Sequence, residues 1–175
     1  MSGSKAHEAD FSVIFTALKA VLKEHHSVRV VSVGYCQYIK NLECLFPDRV
    51  EQFDFCDYTT YLSYYQRIDL NVIPLLQNPF NHCKSAIRYL EAGLNNKPTL
   101  VSNTGDFRNI IIPGVTGIIV ENETATNWYA SIVELINNKA FLSDLSNRCY
   151  EQVVNEYTVN SISSNVISQM RDLGL

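Results

Sequence analysis

The densest run of chemically useful side chains is Asn78 to Glu91, NPFNHCKSAIRYLE. A strand-like segment runs into a loop carrying a proline, and the spacing predicts a helix opening at Lys84 and Ser85. A helix start presents N–H groups without intrahelical partners and a partial positive charge, which suits a phosphate. The Lys84 ammonium would add a full charge where a diphosphate would lie. Glu91 follows seven residues later, two turns on, so the sequence puts both residues on one side of that helix. A carboxylate there could accept hydrogen bonds from a ribose. An amphipathic helix with a surface lysine and glutamate paired in solvent fits the same spacing equally well.

Other candidates carry less. Gly105 in NTGDF follows a strand and suits a tight turn or a close backbone approach. Gly3 in SGSK precedes a helix, but neither glycine forms GxGxxG or GxxxxGK[ST], so neither a dinucleotide fingerprint nor a P-loop is present. His7, His25, His26 and His82 lack metal-ligand spacing, and the pair His25-His26 reads as a solvated helix end. Lys84 beside Cys83 could lower the thiol pKa, though a small half-buried residue is the simpler reading. Trp128 and Tyr129 read as core. Tyr58, Tyr61, Tyr64 and Tyr65 read as packing, with only Tyr58, directly after a strand end, placed to meet a base.

The elements that must position these residues alternate. Helical spacing covers Phe11 to Lys23, with Asp10 as its N-cap. Strands are predicted at Val28–Val33, Arg49–Phe55, Leu70–Leu75, Thr99–Ser102 and Gly117–Val120. Helices are predicted at Thr59–Gln66, Ser85–Gly93 with Gly93 near its C-cap, Thr124–Asn137, Lys139–Tyr157 and Asn160–Leu173. Such alternation gives right-handed βαβ units, a mostly parallel sheet and ligand sites beyond the carboxyl ends of the strands. At 175 residues, one domain spanning 1–175 is expected, its last helix over about 160–173. With 46% hydrophobic and 18% charged residues the chain can bury a core, which excludes a disordered chain. A net charge of −4 disfavours nucleic acid as a partner. No apolar run reaches membrane-spanning length, and the polar start is no signal peptide. Five cysteines, an odd number with no CxxC, argue against a zinc site or a disulfide framework and for the cytoplasm.

The run KSAIRYLEAGLNNKPTLVSNTGDFRNIIIPGVTGIIVENET resembles the donor-binding half of GT-B-fold glycosyltransferases of the family-four type. Pro98-Thr99-Leu100-Val101-Ser102 and Gly114-Val115-Thr116-Gly117 match that family's blocks. SGSKAHEADF at the start and NEYTV before the last helix are similar to its opening and closing stretches, so the likeness runs nearly end to end.

The resemblance implies a Rossmann-like, three-layer αβα sandwich with a parallel sheet, holding a nucleoside diphosphate sugar. It assigns Glu91 to the ribose, and Lys84 and the Ser85 N–H to the phosphates. Gly3 and Ser4 would approach the diphosphate, and Cys56, Asp57 and Tyr58 would line the base. Cys83 stands where the family has the first glutamate of its E-x7-E motif. The family's arginine–lysine pair has no secure match, Lys5 or His7 being the substitutes. The implied reaction is retaining glycosyl transfer in glycan or polysaccharide biosynthesis, without a metal or other cofactor. Lys84 would be the catalytic group, through stabilisation of the leaving diphosphate. The partners would be the nucleotide-sugar donor and an N-terminal acceptor domain from the same or another chain. Cytoplasmic placement includes the inner face of a membrane, and self-association through the last helix is expected. A binding module without turnover and a nucleotide-sugar epimerase are the alternatives. The sequence opens where the family's first, central strand has just ended, so the sheet is expected to close up, pair with another chain or belong to a longer protein.

Overall fold

The computed structural model describes residues 8–121 and 124–173. Gly3, Ser4, Lys5 and His7 lie outside them. The chain runs α1 (Glu8–Glu24), β1 (Val30–Val33), α2 (Gln37–Leu45), β2 (Val50–Phe53) and α3 (Tyr58–Ser63), which tightens into a 3-10 turn over Tyr64–Arg67. It continues through β3 (Asn71–Ile73), α4 (Pro79–His82), α5 (Ile87–Leu94), β4 (Thr99–Ser102), α6 (Phe107–Ile110) and β5 (Ile118–Val120). Helices α7 (Ala125–Asn137), α8 (Lys139–Glu156) and α9 (Val159–Asp172) close it. Every strand pair among the described residues is parallel, as expected of a Rossmann-like half-domain.

Alternation along the strands sorts side chains onto two faces. Leu100 and Val120 join Phe11, Leu18 and Val21 of α1, Ile39 and Leu42 of α2 and Trp128 of α7 in one core cluster. Val101 packs instead with Tyr89 of α5, Phe107 of α6 and Cys149 and Val153 of α8. A layer of helices therefore covers each face of the strands.

The strands among the described residues nevertheless form two sheets. β1 pairs with β2 in one, and β3-β4-β5 form the other. Among the described residues β1 and β3 do not pair with each other, and no strand joins them.

Several element ends differ from the sequence-based expectation for local reasons. Asp10 is no N-cap: it lies in the first turn of α1 with its carboxylate turned inward. β1 starts at Val30, because the Val28 N–H donates to the His25 carbonyl in the turn leaving α1. β3 stops at Ile73, because Pro74 has no N–H and the Leu75 N–H is taken by Ser102 Oγ at 2.8 Å. α5 starts at Ile87, not Ser85. Asn78 caps α4, with Pro79 in its first turn, and the Lys84 N–H donates to the Asn81 carbonyl. Gly93 is not a cap but an interior residue of α5. A Cβ there would meet Val153 Cγ2 at 2.6 Å and Cys149 Sγ at 2.9 Å, so glycine lets α8 approach. α2 went unforeseen.

Candidate functional site

The loops after β2 and β3 and the start of α5 carry two linked clusters. The first is built on Asp10, which is 4% exposed. Its Oδ1 accepts from the Leu76 N–H at 3.0 Å and from Asn81 Nδ2 at 2.7 Å, and its Oδ2 lies 3.3 Å from Lys84 Nζ. A carboxylate this buried is retained because three donors replace its water. It ties the first turn of α1 to the loop after β3. The Lys84 side chain, 19% exposed, also lies over the Phe80 ring at 5.1 Å. Lys84 is therefore held by the protein, not paired with Glu91 in solvent.

Gly105 completes this cluster. Its φ is +60°, and a Cβ would meet the Lys84 carbonyl oxygen at 2.7 Å and that of Asn81 at 3.0 Å. The close approach lets the Asp106 N–H donate to the Lys84 carbonyl at 3.1 Å. Thr104 Oγ1 meets His82 Nδ1 at 3.0 Å. The loop after β4 thus clamps the loop bearing Lys84, which is the close backbone approach expected of this glycine.

The second cluster surrounds Glu91, 8% exposed on α5. Tyr61 Oη donates to Glu91 Oε2 at 3.3 Å, and Arg88 Nη1 donates to Tyr61 Oη at 2.5 Å, its guanidinium over the Tyr61 ring at 4.8 Å. Tyr65, buried beneath, contacts Tyr61 edge-on and shares a 2.8 Å hydroxyl bond with it. Burial pushes the Tyr65 hydroxyl far up, so it stays protonated. Tyr58 stacks on Tyr61 with centroids 6.3 Å apart, yet 61% of it is exposed. Partial burial, then the nearby Glu91 carboxylate, raises its pKa. Asp57 caps α3 by accepting from the Thr60 hydroxyl at 2.6 Å and the Thr60 N–H at 3.0 Å, and these bonds lower its pKa. Its carboxylate is thus occupied locally, and Cys56 beside it is exposed.

Arg88 links the clusters. A cavity of about 220 Å³ is lined by Phe11, Leu75, Lys84, Ser85, Ile87 and Arg88 among others. Lys84, Ser85 and Arg88 thus share one concavity, and Arg88 reaches from it to Tyr61, which in turn bonds Glu91. One sequence expectation needs correction. Lys84 and Ser85 are not the first residues of the helix but lie in the turn before it, and Ala86 occupies the cap position. Lys84 and Glu91 therefore do not share a helix face. Sequence reasoning missed Arg88, Tyr61 and the buried role of Asp10. The i, i+3 spacing of Arg88 and Glu91 was the available signal for the first. Among the described residues, no three His, Cys, Asp or Glu side chains cluster as metal ligands, and no helix is long and apolar enough to cross a membrane.

A Rossmann-like half-domain with parallel strands and its polar clusters in the loops after β2, β3 and β4 defines the class, and comparison with known proteins gives the family. The family model described as "Glycosyl transferases group 1" matches residues 2–138, most of the chain. The chain belongs to that glycosyltransferase family. No curated protein matches it. Solved structures share the fold. The C-terminal domain of the glycosyl transferase group 1 family protein LpcC from Francisella tularensis is 15% identical. The match covers 90% of this chain and 85% of that one, at a TM-score of 0.71. Anabaena HepE, solved in complex with UDP and glucose, is 16% identical with a TM-score of 0.71. There the match covers 97% of this chain but 47% of HepE. The catalytic domain of cholesterol-alpha-glucosyltransferase from Helicobacter pylori is 21% identical, covering 90% and 96% at a TM-score of 0.69. This chain thus matches a single-domain structure nearly whole and spans about half of the longer HepE chain.

Proposed function

We propose that the chain is the donor-binding half of a glycosyltransferase that takes a nucleoside diphosphate sugar. The observation that carries this reading is the concavity, largely apolar, at which Lys84, Ser85 and Arg88 meet, with Arg88 bonded to Tyr61 and Tyr61 to buried Glu91. The HepE complexes with UDP and UDP-glucose make a uridine nucleotide the first ligand to try.

In this reading the exposed ring of Tyr58 stacks on the base, with Cys56 and Asp57 beside it. Glu91 accepts from the ribose hydroxyls, exchanging its Tyr61 contact for a ligand one. The Lys84 ammonium and the N–H groups of Ser85 and of the α5 start face the diphosphate, the role the resemblance also gives to Gly3 and Ser4. The Gly105 loop lies toward the sugar. Catalysis is then positioning plus stabilisation of the charge that develops on the leaving diphosphate. Because Lys84 supplies that charge, no metal is required. Transfer with retention, a hexosyl donor and a role in glycan or polysaccharide synthesis follow the family resemblance. Acceptor and closed cleft belong to an N-terminal domain of the same or another chain, working at the cytoplasmic side.

Ligand-observed NMR of the chain with UDP, GDP and TDP tests the reading and names the base. Binding of one diphosphate, with Lys84→Ala weakening it far more than the matching nucleoside, is the expected result. Equal losses for nucleoside and diphosphate would show that Lys84 supports only the fold.

A further inference from the structure

We infer that Arg88, Tyr65 and Glu91 form a seat for one hydroxyl group, and that the Tyr61 phenol now in that seat stands in for a ribose hydroxyl of the donor. The inference rests on the proposed donor reading, which gives the ribose to Glu91. It adds two recognition residues, Arg88 and Tyr65, and an internal competitor, Tyr61.

Proton counting defines what the seat accepts. The Tyr61 hydroxyl oxygen lies 2.5 Å from Arg88 Nη1, 2.8 Å from Tyr65 Oη and 3.3 Å from Glu91 Oε2. A hydroxyl has one proton to give and two lone pairs. A guanidinium only donates, and an ionised carboxylate only accepts. Arg88 therefore donates to the Tyr61 oxygen, and the single Tyr61 proton goes to Glu91. That leaves Tyr65 as the donor in the bond between the two phenols. The seated hydroxyl thus uses its proton and both lone pairs. A carbonyl or ether oxygen in its place could not donate to Glu91. An ammonium could not accept from Arg88. An O–H group satisfies all three neighbours at once, and a sugar hydroxyl is such a group.

The seat belongs to the packed part of the molecule, and its occupant does not. Glu91 and Tyr65 are buried, and Arg88 stands on α5 one turn before Glu91. α3, which carries Tyr61, buries none of its residues, and Tyr61 belongs to neither core cluster. α3 follows β2, at the carboxyl end of that strand, where open α/β sheets take their ligands. The Tyr61 ring is held by the Arg88 guanidinium over its face and by the exposed ring of Tyr58. Turning that side chain aside opens the seat without unpacking the core.

The exchange has a consequence for affinity. Buried donors and acceptors are costly to leave unmade, so Tyr61 departs only for a group that remakes its bonds. Part of what a ribose hydroxyl gains in the seat is then offset by the Tyr61 bonds it replaces. A nucleotide without ribose hydroxyls leaves the phenol in place and meets no such competition. Tyr61 therefore lowers affinity for ribonucleotides alone.

The test is a ligand-observed NMR titration of the 175-residue chain with UDP, GDP and their 2′,3′-dideoxy analogues. Wild type is compared with Tyr61→Phe, Arg88→Met and Glu91→Ala. Phenylalanine keeps the ring and its stacking but cannot fill the seat. For the nucleotide that binds, Tyr61→Phe should tighten the ribo form roughly tenfold, the worth of one hydrogen bond to a charged group, and leave the dideoxy form unchanged. Arg88→Met should weaken the ribo form roughly tenfold and the dideoxy form much less. Ribo affinity that Tyr61→Phe leaves unchanged or weakens would overturn the inference. So would an Arg88→Met loss shared equally by the two forms, which would assign Arg88 to the diphosphate. If Glu91→Ala still abolished the preference for the ribo form, the donor reading would survive either result. Equal binding of ribo and dideoxy forms by wild type and every variant, or binding of neither nucleotide, would overturn the donor reading and this inference with it.

Discussion

Asp10→Ala removes a buried carboxylate that joins α1 to the loop bearing Lys84. Three donors lose their acceptor: the Leu76 N–H, Asn81 Nδ2 and Lys84 Nζ. Breaking a buried ion pair by deleting one partner costs about 3–5 kcal/mol. Lys84 retains 19% exposure, so its ammonium regains some water and the lower end of that range applies. The expected loss is therefore about 3 kcal/mol. Asp10→Asn can keep the one oxygen that accepts from both Leu76 and Asn81, but turns a donor NH2 toward Lys84 Nζ, so a smaller loss than that of Asp10→Ala is expected. Urea unfolding followed by circular dichroism measures both, with m unchanged and the midpoint lowered in the order wild type, Asn, Ala. Losses below about 1 kcal/mol for Asp10→Ala would show that the loop is held without the carboxylate. The account of how Lys84 is positioned would then be wrong.

Glu91→Ala should weaken nucleoside diphosphate binding by about 1.5–3 kcal/mol, the worth of a hydrogen bond to a charged group, by titration. Unchanged affinity would remove its ribose role. Burial raises the Cys149 thiol to about 11 from 9.0, so the folded chain binds that proton more tightly than the unfolded one. Its stability contribution is complete below pH 9 and is lost as pH rises towards 11, visible as a falling melting temperature that Cys149→Ala flattens. Exposed Cys44, Cys56 and Cys83 should react quickly with a thiol reagent under native conditions, while buried Cys36 and Cys149 react only on unfolding. On α9, Ile162, Val166, Ile167 and Met170 are each about half exposed, so Ile162→Lys with Ile167→Lys should reduce any self-association seen by sedimentation. The chain alone should transfer no sugar from a panel of labelled donors, since the proposed reading puts the acceptor site in an N-terminal domain.

Much of the fold was legible because the periodicities are strong. Leu100 and Val101 alternate between two cores, and Phe11, Ile14, Leu18 and Val21 repeat at helical spacing. What failed was local. The loop from Asn78 to Ala86 looks like the opening of one helix, but Pro79 and the Asn78 cap nucleate a separate short turn, which holds Lys84 outside α5. α2, QYIKNLECL, places only Ile39 and Leu42 in the core, too few for a pattern to register. The close backbone approach at Gly105 could be read from its position after a strand. Residues that act through distant partners could not: Asp10 meets Lys84 across 74 residues and Tyr61 meets Arg88 across 27. The split between β1 and β3 was foreseeable only from the family resemblance, since nothing in the local sequence of either strand shows what lies beside it.

The central claim is that the base, ribose and diphosphate of a donor occupy the surface from Tyr58 through Glu91 and Arg88 to Lys84. The most direct measurement is a two-dimensional amide NMR titration of the 15N-labelled chain with the diphosphate that binds. Shifts concentrated at Tyr58, Ser85, Arg88 and Glu91, together with the Gly105 loop, and absent from α9 are the predicted result. Shifts that spare Ser85, Arg88 and Glu91 while mapping to another surface would contradict it.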